Sequence, residues 1–105
     1  MPTASSYYST LLNNGAGTKS AVSVTVVKGG VYIVVRMGAA FGSGSNRWSK
    51  ASFSGGTINK DFGILGYGSV SYRAMIVTAT GTTLSYSGVT SEDTESHVLI
   101  AIRVA

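Results

Sequence analysis

The sequence carries no sustained helical period, and its apolar residues fall into short β patterns separated by glycine, serine and threonine turns. Val22, Val24 and Val26 alternate with small polar residues, as expected for a strand that buries one face. Residues 31–37 are apolar on both faces, which is typical of a central strand. Further strands are predicted at residues 49–53, 57–60, 71–80, 84–87 and 98–104. Six to eight short strands of this kind predict an all-β fold, an antiparallel β-sandwich or jelly roll.

The chain of 105 residues is long enough for one domain. Residues 1–20 are mostly polar and are predicted to form an N-terminal arm or a first short strand, and residues 21–105 form the β-sandwich domain. Four larger side chains interrupt the polar segment and make it a candidate assembly arm: Tyr7, Tyr8, Leu11 and Leu12. Residues 62–68 are apolar but broken by glycines, so we expect a bulged strand or a covering loop there.

Charged residues make up only 11% of the chain, whereas an average soluble domain has about 25%. A small domain exposes much of its surface, so sparse charge leaves much of that surface uncharged. Such a surface can consist of serine, threonine and glycine, or it can be buried against other subunits. We expect both. The net charge of +4 permits a polyanionic partner, but the eight basic residues are scattered, whereas nucleic-acid binders usually cluster them.

Several function classes find no support in the sequence. Without cysteine the chain has no disulfide, no thiolate chemistry and no cysteine-based zinc site. The first ten residues lack the basic and apolar regions of a signal peptide, and the longest apolar runs are too short to span a bilayer. The sequence therefore predicts synthesis in a cytoplasm and no membrane partner.

The best candidate contact site follows a glycine-rich loop. Trp48, flanked by Arg47 and Lys50, could stack on a sugar ring or a base while the cations meet phosphate or carboxylate groups. Against this, a single tryptophan in a small sandwich is more often a core or interface residue. Both interpretations stay open at this stage.

Tyrosine is frequent, with six residues, and it is enriched at interfaces and in sugar-binding sites. Tyr32 and Tyr72 lie within predicted strands and are expected in the core. Tyr7, Tyr8, Tyr67 and Tyr86 are the candidates to face outward, and Tyr67 joins Trp48 as a candidate contact.

His97 is the single histidine, and it follows three acidic residues, Glu92, Asp93 and Glu95. Carboxylates and one imidazole suit a divalent cation, but the spacing of a calcium loop and a second histidine are missing, so a solvated turn is favoured over a metal site. A nucleophile needs a base, and His97 is the sole neutral-pH candidate. Neither a nucleophile elbow nor a phosphate-binding loop is present. We therefore expect no catalytic residue, no metal, no cofactor and a non-enzymatic function.

A valine/threonine strand at residues 22–27, a Gly-Gly turn, the strand Val-Tyr-Ile-Val-Val and a terminal strand at residues 98–104 stand among glycine/serine loops. In this pattern, residues 20–105 resemble the small β-sandwich domains of tailed-phage virion proteins, found in tail fibres and capsid-decorating proteins. The resemblance implies a structural subunit of a virion, capsid-decorating or tail-associated, that is made in the host cytoplasm. It also implies homo-oligomers, often trimers, whose partners are copies of the same chain and other virion proteins.

Carbohydrate-binding sandwiches share the same pattern, so the alternative is a glycan-binding module that uses Trp48, Tyr67 and the loop at residues 42–46. A surface glycan is then the partner. A polyanion binder that uses Arg47, Lys50 and Lys60 is the third hypothesis, and the scattered basic residues argue against it.

Overall fold

The computed structural model describes residues 7–14, 17–18, 22–38, 51–67, 70–87, 90–91 and 95–105. These residues form ten β-strands and no helix. The strands are β1 (Tyr7–Asn14), β2 (Gly17–Thr18), β3 (Val22–Thr25), β4 (Val31–Gly38), β5 (Ser52–Ser54), β6 (Gly56–Tyr67), β7 (Val70–Ala79), β8 (Thr83–Ser87), β9 (Thr90–Ser91) and β10 (Glu95–Arg103). No helix long and apolar enough to cross a membrane occurs in this part of the chain.

The strands form two antiparallel sheets that pack together as a β-sandwich, which confirms the predicted fold class. The larger sheet has the order β1-β10-β4-β7-β6, and the smaller has the order β3-β8-β5. β2 and β9 form a separate two-stranded ladder. They bring the count to ten, above the predicted six to eight, because ladders of two residues leave no periodic pattern in a sequence.

The first half of the chain pairs with the second half in an almost constant register. Tyr7 lies opposite Ile102, Thr18 opposite Thr90, Val22 opposite Tyr86 and Val31 opposite Thr78. The two residue numbers of each pair have the same sum to within one, so the chain follows one long antiparallel ladder. This ladder is folded over so that β1, β4 and β7 lie in one sheet and β3 and β8 lie in the other.

The core lies between the sheets and is built by one face of β3, β4, β7, β8 and β10. The predicted alternation of Val22, Val24 and Val26 is confirmed, since all three are buried while Ser23 and Thr25 are exposed. The five-stranded sheet adds residues from β4, β7 and β10. The buried cluster consists of Val22, Val24, Val26, Tyr32, Val34, Met75, Val77, Ala79, Leu84, Tyr86, Leu99 and Ala101.

The segment after β5 differs from its prediction. Residues 57–60 and 62–68 are predicted as separate elements, but residues 56–67 form the single strand β6, which pairs with β7. Of the two alternatives for residues 62–68, the bulged strand is confirmed. The two parts are joined across register shifts between Ile58 and Lys60 and between Asp61 and Ile64. Gly63 has a φ of 85°, and its N–H donates a hydrogen bond to Asp61 Oδ1 at 2.8 Å. This local turn accommodates the residues of β6 that have no partner in β7.

Candidate assembly surface

The predicted contact site lies largely outside the described residues. Arg47, Trp48 and Lys50 fall in the segment between β4 and β5 that the structure does not describe. Tyr67 is the last residue of β6, where its backbone pairs with Val70. The glycan-binding hypothesis therefore stays a prediction.

His97 lies in β10, between Leu12 and Gly38 in the backbone register, rather than in a turn. Glu95 is also in β10, and Glu92 and Asp93 lie outside the described residues. Within the described ranges the structure contains no cluster of acidic residues and histidine able to hold a metal ion, and no cavity.

The candidate arm residues Tyr7, Tyr8, Leu11 and Leu12 all belong to β1, which pairs with β10 of the same chain. β1 forms one edge of the five-stranded sheet. An edge strand keeps a row of backbone groups available for pairing with another chain. The prediction that this segment contacts a neighbouring subunit concerns other copies of the chain and stays a prediction.

The five-stranded sheet has an apolar surface on the side away from the core. In antiparallel strands, residues directly opposite each other share a face of the sheet. On β4, Ile33 pairs with Ile76 and Ile102, and the same register repeats at every second residue. The result is a grid of nine residues, which we call the outer face: Ile33, Val35 and Met37 of β4; Tyr72, Ala74 and Ile76 of β7; and Val98, Ile100 and Ile102 of β10.

One member of the outer face is exposed, and so is a residue of β6 beside it. Ile33, on the central strand, is 39% exposed, and Leu65 of β6, which pairs with Tyr72, is 52% exposed. The remaining members of the grid are half-buried. None of the nine is charged. A monomer in water gains nothing from such a face, and large exposed apolar patches mark interaction surfaces.

A polar cluster on the opposite side of the sheet joins β6, β7 and β8. Arg73 donates from Nε and Nη2 to Asp61 Oδ1 and Oδ2 at 3.2 and 2.5 Å, a two-point ion pair. Arg73 Nη1 also donates to Tyr86 Oη at 2.6 Å. The hydrogen bond from Arg73 lowers the pKa of Asp61, and Asp61 in turn raises the pKa of Arg73 above its ordinary range.

Tyr86 corrects one sequence expectation: it was predicted to face outward and is fully buried. Its ring contacts Phe53 at 5.8 Å between centroids, and its hydroxyl is held by Arg73. The strand pattern at residues 84–87 is too short to show which face is covered. Tyr32 is buried as expected, whereas Tyr72 is half-buried on the outer face.

Sequence reasoning also missed two arginines of the inner side. Arg36 is fully buried on β4 and donates from Nη1 to the Met37 carbonyl at 2.8 Å. It lies directly opposite Arg73 in the register. The only sequence signal for either residue was a single cation within an apolar strand, and this does not reveal a partner such as Asp61, twelve residues away.

No protein-family model, curated protein or solved structure matches the chain. The interpretation of the outer face therefore depends on the structure alone.

Proposed function

We propose that the chain is a non-enzymatic structural subunit of a viral, phage-like particle, either capsid-decorating or tail-associated. It is made in the host cytoplasm and assembles through the surfaces of its β-sandwich, with other copies of itself and other virion proteins as partners. The observation that carries the proposal is the outer face, a grid of nine uncharged residues on the side of the sheet away from the core.

The strand order supports this class of protein. A jelly roll is a long antiparallel ladder wrapped into two sheets, and viral capsid domains are among the proteins that use it. In this chain β1 pairs with β10, β3 with β8 and β4 with β7, with successive pairs alternating between the two sheets. The nested pairing is the jelly-roll pattern, with β6 beside β7 at the end of the larger sheet.

Lectin domains also use jelly rolls, so the topology alone does not choose between the two hypotheses. The outer face favours assembly. It is mainly aliphatic, and aliphatic side chains offer no hydrogen bonds to sugar hydroxyls, whereas they suit burial against another protein. The edge strand β1 borders the same sheet and offers a second contact by strand pairing.

The test is to look for the chain in particles. Particles are sedimented from cultures that express the gene from its native genome, treated with protease and nuclease, and analysed by peptide mass spectrometry. We expect peptides of this chain at a fixed ratio to the major capsid or tail protein. A chain recovered only in the soluble fraction, in cultures that do release particles, would overturn the proposal.

A further inference from the structure

We infer that the free edge of β6 carries a barrier against pairing with another strand, made of two bulges and of Lys60 between them. β6 is one of the two edges of the larger sheet, and among the described strands only β7 pairs with it. The barrier leaves β1, the other edge, as the place where this sheet can accept a further strand. The inference concerns a contact that the fold prevents, so it does not depend on the proposed function.

The exposure of β6 is what makes a barrier necessary. Every residue from 57 to 65 is exposed except Gly63, so this stretch is largely uncovered on both faces of the sheet. Its large apolar side chains are 37–55% exposed, and they are Ile58, Phe62, Ile64 and Leu65. A long, exposed, apolar edge strand is a template for pairing with another chain and a predicted site of aggregation.

Two bulges interrupt the regular geometry of β6. From Ile58 to Lys60, β6 advances by two residues while β7 advances by one. From Asp61 to Ile64, β6 advances by three residues while β7 advances by two. Each shift therefore places one extra residue in β6. Bulges bend and twist an edge strand and break up the row of backbone groups that an added strand would need.

Both bulges are held by side chains that connect β6 to β7. Asn59, the extra residue of the first shift, donates from Nδ2 to Thr78 Oγ1 at 2.7 Å. In the second bulge the Gly63 N–H donates to Asp61 Oδ1, and Arg73 of β7 binds the same carboxylate. The irregular geometry of this edge is therefore maintained by specific hydrogen bonds.

Lys60 adds a charge to the edge between the two bulges. Its side chain is exposed, and its Nζ lies 6.0 Å from the centre of the Phe62 ring. A strand that covered Lys60 would remove water from the ammonium group, and a second copy that paired through β6 would bring a like charge close to it. The neighbouring Asp61 offers little compensation, because its carboxylate is bound by Arg73. Lysine on an edge strand is one of the means by which natural sheets avoid edge-to-edge pairing.

The test removes the barrier in two steps and measures self-association. Lys60→Val removes the charge and retains the hydrogen bonds that hold the bulges. Deleting Gly63 from this variant makes β6 and β7 advance equally between Asp61 and Ile64, which removes the second bulge. Lys28→Val is the matched control, because Lys28 is exposed in the turn between β3 and β4 and its replacement makes the same change in charge and side chain.

Native mass is measured by light scattering at matched concentrations, and circular dichroism and thermal unfolding report whether each variant folds. We expect Lys28→Val to keep the wild-type mass, Lys60→Val to exceed it as concentration rises, and the variant that also lacks Gly63 to reach at least twice the wild-type mass. Hydrogen exchange read by mass spectrometry locates the contact. Amides within residues 56–67 should exchange more slowly in the enlarged species than in the wild type.

Four results would overturn the inference. They are a folded variant without Lys60 and Gly63 that keeps the wild-type mass, an equal increase in Lys28→Val, an increase in mass without slower exchange in residues 56–67, and concentration-dependent protection of these residues in the wild type. If the deletion prevents folding, Lys60→Val alone decides, since its mass must exceed that of Lys28→Val. The particle experiment uses none of these variants, so the proposed function is judged by its own result.

Discussion

Arg73 on β7 donates a hydrogen bond to the hydroxyl of Tyr86 on β8 at 2.6 Å, and this bond joins the two sheets of the sandwich. The guanidinium carbon also lies 5.9 Å from the centre of the Tyr86 ring. Arg73 is at the same time bound to Asp61 on β6. The Arg73 side chain thus links β6 and β7 of the larger sheet to β8 of the smaller sheet.

Replacing Tyr86 with phenylalanine tests this link. Tyr86→Phe keeps the ring and its contact with Phe53 but removes the acceptor for Arg73 Nη1. Hydrogen bonds to charged groups contribute roughly 1.5–3 kcal/mol, so the free energy of unfolding should fall by about that amount. Urea denaturation measures the change. An unchanged midpoint would mean that water replaces the hydroxyl without cost.

The Asp61–Arg73 ion pair predicts a dependence of stability on pH. The pKa of Asp61 is lowered in the fold from its ordinary value of 3.8, mainly by the hydrogen bond from Arg73. The carboxylate therefore stabilises the fold fully above the unfolded-state pKa, and this contribution is lost as pH falls through the lower folded-state pKa. The pair is partly exposed, so its contribution is about 0.2–1 kcal/mol.

Asp61→Asn isolates that contribution. The amide oxygen can still accept from the Gly63 N–H, so the bulge in β6 is retained while the charge is removed. The variant should be less stable than the wild type at pH 7, and the difference should shrink below about pH 4. Denaturation curves of the wild type and the variant at pH 7 and at a pH below about 4 measure this difference in stability. A difference that persists at low pH would assign the effect to the bulge instead.

Much of the fold could be predicted from local patterns, because a strand that buries one face alternates apolar and polar residues along the sequence. The alternation at residues 22–26 predicted a strand with one buried face, and the structure confirms it. The apolar run at residues 31–37 predicted a central strand, and β4 is the middle strand of the larger sheet. The predicted strand at residues 98–104 corresponds to β10, which lies inside the sheet between β1 and β4. The prediction divided β6 at Asp61, whereas the strand continues through a bulge in which the Gly63 N–H donates to Asp61.

The candidate surface could be predicted only in part. Both faces of β4 and β10 carry mostly apolar residues, and the sequence shows this without showing which face the second sheet covers. That choice depends on the position of β3 and β8, which are distant in sequence, and a shift of one residue in register exchanges the faces. For the same reason Tyr86 was expected outside and is buried.

Leu84 tests the core against the exposed surface. Leu84 on β8 is fully buried, so Leu84→Ala should cost about 2–5 kcal/mol through lost burial and a residual cavity. Val27, which follows β3, is exposed, and Val27→Ala should change stability by less than about 0.5 kcal/mol. Thermal and chemical unfolding of the two variants gives the comparison. Similar effects at both positions would be inconsistent with a core between the sheets.

Three glycine-to-alanine variants separate backbone strain from steric clash. Gly81 has no neighbour within 4 Å of an added Cβ, so Gly81→Ala should be neutral or slightly stabilising. Gly29 is equally open but has a φ of 86°, which should cost about 1–2 kcal/mol for an L side chain. Gly55 has a φ of 101°, and its added Cβ would lie 2.0 Å from the Thr83 carbonyl oxygen, where β5 turns into β6. Gly55→Ala should therefore be the most destabilising of the three, because backbone must move as well. Urea unfolding of all three variants should rank them in this order, and a Gly55→Ala variant as stable as Gly81→Ala would contradict the close approach of β8 to this turn.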